Sequence, residues 1–163
     1  MTAHDGEDTI FTAGIGRLVR EAALTEYLLH TVLVELDGAE HAYAHEAGLT
    51  GTQFVNRCVK RIQQLDGARV NPAARDALLV DLEACKAAFE ERHRFVHGTW
   101  TYDPETCQWW MVKGRRDGGK TPEVAPAGSA SPQQLAAEFR RLNARLFWHL
   151  ADRDDPWMVT KRV

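Results

Sequence analysis

The sequence predicts an all-α fold: an antiparallel helical bundle of four to five helices, with a small β-hairpin inserted before the last helix. Two observations carry this prediction. Apolar residues recur with a 3.6-residue period through long stretches on either side of a short segment rich in Thr, Trp, Tyr and Val. Gly, Pro, Asn and Ser punctuate the boundaries between these stretches where helices start and stop. With 163 residues, the chain supports one core and is short for two, so residues 1–163 read as a single domain.

Asp8 or Thr9 is suited to cap a first helix reaching about Asp37. Ile15, Leu18, Ala22, Leu29, Val32, Leu33 and Leu36 fall on its inner face. A helix of that length spans roughly 40 Å, enough for the spine of a bundle. Gly38 ends it, and residues 39–48 form a brief helix or a loop. Thr50 with Gln53 has the pattern of a capping box and opens a helix to about Leu65. Phe54, Val55, Cys58, Val59, Ile62 and Leu65 face its inside, and Arg57, Lys60 and Arg61 its outside. Asn71-Pro72 starts a third helix, with Leu78, Leu82, Cys85, Phe89 and Val96 on one face and Gly98 at its end.

The pattern then switches. Thr99 to Tyr102 and Cys107 to Lys113 read as two strands joined by a turn at Asp103-Pro104-Glu105-Thr106. Gly114 to Ser131 is rich in Gly, Pro and charge and reads as a loop. Ser131-Pro132-Gln133-Gln134 combines an N-cap, an N1 proline and a capping-box glutamine. Leu135, Phe139, Leu142, Leu146 and Leu150 form the stripe of the helix that follows.

Charge and composition narrow the function classes. A net charge of −3 provides no global basic field, which argues against indiscriminate tight binding of nucleic acid and leaves only a local patch. The acidic amino terminus lacks the basic start and apolar run of a signal peptide. Glu21, Glu26 and Glu35 interrupt the most apolar helix, so no membrane span and no membrane partner are expected. Cys58, Cys85 and Cys107 are odd in number and widely spaced, which suits a reduced, cytoplasmic protein without a disulfide framework.

The most informative stretch is Arg92-His93-Arg94-Phe95-Val96-His97-Gly98. Arg92 lies three residues beyond Phe89, on the apolar side of the third helix. A guanidinium keeps its proton, and burying it unpaired is costly, so it needs a carboxylate, a carbonyl, a second subunit or a phosphate. Spacing alone decides nothing, because 15 Arg and 7 His in a chain of this length yield about 0.6 Arg–x4–His pairs by chance. The context is the signal: an arginine that breaks an apolar stripe near a helix end, followed by a polar residue, and a histidine followed by glycine.

On Arg92, His93 and His97 the chain resembles the HEPN domains of prokaryotic defence and toxin–antitoxin systems. Their signature is Arg, a polar residue and a short run ending in His at the end of a helix in an α-helical bundle. The resemblance rests on this segment and on the helix order across most of the chain. It implies a cytoplasmic homodimer with two copies of the motif facing each other, and cleavage of RNA with no metal or other cofactor. It also implies a silencing partner, an antitoxin or a nucleotidyltransferase. One branch of the family carries a tyrosine two residues after the histidine, which the nucleotidyltransferase modifies; Thr99 stands there in this chain.

These residue types suit that chemistry. An imidazole titrates near neutrality and moves protons, and a guanidinium grips phosphoryl oxygens bidentately. Arg92 and His97 are therefore the candidate catalytic pair, with His93 orienting or contacting the substrate. On one straight helix, five residues separate two side chains by about 140° and roughly 7.5 Å along the axis. A second element is needed to bring the pair to one cleft. Lys113, Arg115 and Arg116, together with Lys120, are the candidate RNA-backbone contacts, and Trp100, Trp109 and Trp110 either stack on bases or pack the hairpin onto the bundle.

Three other assignments stay open at this level. Arg92 can pair with Glu26 or Glu35 while His97 caps carbonyls, leaving a silent module that dimerises or binds a nucleotide or protein partner. Glu90, His93 and His97 have spacings compatible with zinc, although Arg92 and Arg94 would repel a cation. His41 and His45 repeat a four-residue spacing beside Glu40 and Glu46. Solvated faces account for Arg57, Lys60 and Arg61 and for Arg140, Arg141 and Arg145.

Overall fold

A computed structural model describes residues 3–37, 48–65, 71–113, 123–126 and 131–151. The elements follow the order α1 (Ala3–Asp37), α2 (Gly51–Gln64), α3 (Pro72–His97), β1 (Thr99–Asp103), β2 (Gln108–Lys113), β3 (Glu123–Pro126) and α4 (Pro132–Ala151). The four helices form the predicted antiparallel bundle. α1 packs most extensively on α4 and then on α2, while α3 closes the bundle against α2 and α4. Among the described residues, no helix is long and apolar enough to cross a membrane.

α1 starts at Ala3, ahead of the expected cap at Asp8 or Thr9. The helix runs straight through Asp8 and Thr9, so neither is its cap. Leu18, Ala22, Leu29, Val32, Leu33 and Leu36 are buried, and Ile15 packs at the edge of the core. α2 opens with the expected capping box. The Thr50 side chain accepts the Gln53 backbone N–H, and the Gln53 side chain accepts the Thr50 N–H. Asn71 caps α3 by accepting the N–H groups of Ala73 and Ala74, with Pro72 in the first turn. Ser131 and Gln134 form a second reciprocal box at the start of α4.

One expectation about the end of α3 needs correction. Leu78, Leu82, Cys85 and Phe89 are buried as their spacing predicts, but the stripe ends on Phe95, and Val96 is only half-buried. The hairpin causes this change. Trp100 stacks on Phe95 with ring centroids 5.0 Å apart and donates its indole N–H to the Phe95 carbonyl at 2.9 Å. Gly98 ends the helix as expected, with an extended backbone at φ −76°. Its lack of a side chain matters for close approach, since a Cβ there would stand 2.6 Å from the Arg94 carbonyl oxygen.

β1 and β2 pair antiparallel, with Thr99 opposite Val112 and Asp103 opposite Gln108. The turn is held by Asp103, which accepts from the Glu105 N–H and the Thr106 hydroxyl, and by Cys107 at φ 52°. Cys107 thus belongs to the turn, and β2 begins at Gln108. The stretch expected to be all loop contains β3, which pairs antiparallel with β2 and makes a three-stranded sheet of order β1-β2-β3. Trp109 stacks on Phe11 of α1 at 4.3 Å, so the hairpin clamps the ends of α1 and α3 together. The candidate residues His41, His45, Arg115, Arg116 and Lys120 lie outside the described residues.

One polar cluster crosses the core between α1 and α4. Asn143 donates to the Glu21 backbone carbonyl at 3.2 Å, and Thr25 donates to the Asn143 side-chain oxygen at 2.6 Å. The Glu21 carboxylate takes Arg20 at 2.7 Å and Arg140 at 3.3 Å. The hydrogen bond from Arg20 holds the Glu21 carboxyl below its ordinary value; burial opposes this, and Arg140 reinforces it. The folded chain therefore binds that proton less readily than the unfolded chain. The stabilisation is complete above the ordinary carboxylate range and drains away as pH falls through that range to the lowered folded value. Urea unfolding should separate the wild-type protein from Glu21→Gln at neutral pH, with the gap closing under acid. A gap that stays constant across that range would contradict the assignment.

Candidate active site

Arg92, His93 and His97 line one cleft of about 630 Å³, together with Glu90 and Phe89 of α3, Glu26 of α1, and Leu49, Thr50, Gly51 and Thr52 at the start of α2. The structure thus joins the two residues that a single helix separates. The first turn of α2 and the Glu26 turn of α1 supply the remaining walls.

Gly51 sets this geometry. A Cβ at Gly51 would lie 2.3 Å from the Phe89 ring, so only glycine lets α2 begin against that ring. Phe89 is 5% exposed and sits three residues before Arg92. The contact therefore fixes the amino end of α2 beside the arginine. Glu26 secures the same point, its Oε1 accepting the Gly51 N–H at 3.1 Å.

Arg92 is half-buried, and its Nε is shut off from solvent without a hydrogen-bond partner. Among the described residues it makes no ion pair. Glu26 is engaged with Gly51, and Glu35 is exposed on the far part of α1. The neighbouring Arg94 behaves differently, closing a 2.8 Å bridge to Glu91 one turn back. His93 and His97 are exposed one turn apart with ring centroids 4.6 Å apart. His97 makes no hydrogen bond among the described residues, and the helix end is closed by the Gly98 N–H to the Arg94 carbonyl at 2.9 Å. Capping by His97 and pairing of Arg92 with Glu26 or Glu35 are therefore not what these side chains do. Among the described residues, no three His, Cys, Asp or Glu side chains converge with metal-binding geometry, Glu90, His93 and His97 included.

The remaining candidates divide. Lys113 ends β2, and its companions Arg115 and Arg116 lie outside the described residues. Trp100 and Trp109 are committed to Phe95 and Phe11. Arg140 and Arg145 are more than a solvated face, because each neutralises a buried carboxylate, Glu21 and Asp81 respectively.

Sequence reasoning passed over a second buried cluster. Asp81 and His149 are 2% and 5% exposed, with Nε2 2.9 Å from Oδ2, and Arg145 stands 2.6 Å from Oδ1. Together these groups lock α3 to α4 at the end of the bundle away from the hairpin. The signal was an aspartate between Leu78 and Leu82 on an apolar stripe, which calls for a partner just as Arg92 does. Its partners come 64 and 68 residues later, beyond the reach of local spacing. Burial, then the Asp81 charge, pushes the neighbouring Cys85 thiol up to about 12, so it stays a thiol at neutral pH and is no nucleophile.

The role of Gly51 is directly testable. Gly51→Ala must displace the Phe89 ring or α2, an overpacking cost of about 1–3 kcal/mol. Urea unfolding should show that loss, and an unchanged midpoint would contradict the packing described for the cleft.

Comparison of the chain with family models, curated proteins and solved structures finds no match to any of them.

Proposed function

We propose that this protein is a HEPN-type endoribonuclease, a toxin or defence effector that cuts RNA without a metal ion and acts as a homodimer in the cytoplasm. The observation that carries the reading is the state of Arg92: a fixed cation with no ion pair among the described residues, on the wall of an open cleft that also holds two imidazoles. Two other arginines of the bundle are matched to carboxylates: from the outer face of α4, Arg145 and Arg140 pair with the buried Asp81 and Glu21. An arginine left open beside histidines is suited to an anionic ligand, and a phosphodiester matches its bidentate geometry.

In this mechanism the ribose 2′-oxygen attacks the adjacent phosphorus, and the bond to the 5′-oxygen breaks, leaving a 2′,3′-cyclic phosphate. Arg92 stabilises the negative charge that builds on the phosphoryl oxygens. His97 transfers protons, and His93, in ring contact with it, orients the imidazole or the substrate. Lys113, Arg115 and Arg116 guide the RNA backbone. An antitoxin or a nucleotidyltransferase silences the activity, by a route other than tyrosine modification because Thr99 occupies the position in question.

The test is incubation with RNA in EDTA. Cleavage should persist in chelator and leave 2′,3′-cyclic phosphate ends. It should fall about 10²–10³-fold in Arg92→Ala and about 10²–10⁴-fold in His97→Ala. Chelator-resistant cutting that survived both substitutions would overturn the assignment. Absence of cutting in a folded dimer would favour a silent HEPN-like module that dimerises or binds a nucleotide or partner.

A further inference from the structure

We infer that Glu26 is the second proton-transfer group of this cleft, taking the proton of the ribose 2′-hydroxyl while His97 protonates the departing 5′-oxygen. The inference rests on the ribonuclease reading and adds a residue to it.

In-line displacement puts the attacking and departing oxygens on opposite sides of the phosphorus. One imidazole cannot serve both at the same moment, so a second acid–base group is required. Within one protomer the cleft offers three besides His97: His93, Glu90 and Glu26. His93 and Glu90 are exposed and lie on the same helix as His97, and His93 is in tilted ring contact with His97 itself. They are neighbours of the acid rather than groups facing it. Glu26 comes from α1, a different wall of the cleft, and is half-buried.

The carboxylate of Glu26 is also the best fixed of the three. Its Oε1 accepts the Gly51 N–H at 3.1 Å at the amino end of α2, where the helix dipole favours negative charge. Its Oε2 makes no hydrogen bond among the described residues and is free to accept one. The charged and titratable groups around it are Arg92, His93, His97 and Glu90 from α3 and His30 one turn along α1; the first turn of α2 contributes none. Carboxylate, guanidinium and imidazole thus surround one open volume as base, phosphate clamp and acid.

The step balances. The 2′-oxygen forms its bond to phosphorus as its proton passes to Glu26, and the P–O5′ bond breaks as the proton of the His97 imidazolium passes to the 5′-oxygen. Glu26 ends protonated and His97 neutral, and hydrolysis of the cyclic phosphate or exchange with water resets both.

Glu26→Gln keeps an oxygen that can accept the Gly51 N–H, so α2 should stay anchored; circular dichroism and thermal unfolding check this. With RNA, kcat should fall about 100-fold or more, KM should change little, and the ascending limb of the pH–rate profile should flatten. The roles separate on a ribonucleoside 3′-(4-nitrophenyl phosphate), whose leaving group departs without a proton. That substrate should restore most of the activity of His97→Ala and none of that of Glu26→Gln. Wild-type rates in Glu26→Gln, or rescue of Glu26→Gln but not of His97→Ala, would overturn the assignment while leaving the ribonuclease reading intact. Loss of the ascending limb in His93→Gln alone would move the base to His93 and overturn it equally. A wild-type protein that cuts neither substrate would overturn both readings.

Discussion

The cleft depends on the close contact between Gly51 and the Phe89 ring. That contact allows α2 to begin hard against α3 with no side chain between them. The capping box at Thr50 then fixes the direction of that first turn, and the Glu26 carboxylate ties it to α1. Three helices meet at one point through packing, a cap and a charged hydrogen bond. The cleft is the space left above that junction, with an apolar floor at Phe89 and its polar groups around the rim. A site built in this way from the backbone ends of rigid elements holds its groups more accurately than one built on a loop.

Charge is handled differently at this point than at Glu21 and Asp81. Glu21 and Asp81 are carboxylates buried between helices, and each draws a guanidinium from the outer face of α4. Those pairs remove the cost of a charge in a greasy seam and tie α4 to the rest of the fold. Arg92 sits on the same kind of seam and, among the described residues, has no such counterion. A carboxylate lines the same cleft, yet Glu26 makes no ion pair with Arg92 and turns one oxygen to the Gly51 amide. Leaving a cation unpaired costs stability, and such local costs concentrate at functional sites.

Much of the fold was legible because local signals agreed with one another. Thr50 with Gln53, Asn71-Pro72 and Ser131 with Gln134 each announce a helix start, and the apolar stripes of α1, α2 and α4 end up in the core. Local spacing could not carry the rest. Val96 is the better stripe residue by helical period, but the hairpin stacks Trp100 on Phe95 and draws that residue inward. β3 lies in a stretch dominated by glycine, proline and charge, and only its pairing with β2 makes it a strand. Asp81 and His149 find each other across 68 positions of sequence. Arg92, His93 and His97 stand out within their own segment, whereas local spacing marks the α1 and α2 walls that bring them to one volume only as an acidic partner and a cap.

On the proposed function, Arg92 is an open cation on an apolar seam, held for an anionic ligand and contributing nothing to the stability of the fold. Comparing the urea unfolding of the wild-type protein with that of Arg92→Met tests it most directly, since methionine keeps length and apolar contact while removing the charge. An unpaired guanidinium predicts a midpoint that is unchanged or higher in the variant. A loss of about 3–5 kcal/mol, the cost of stripping one partner from a buried ion pair, would show that Arg92 is neutralised within the fold and would contradict the account.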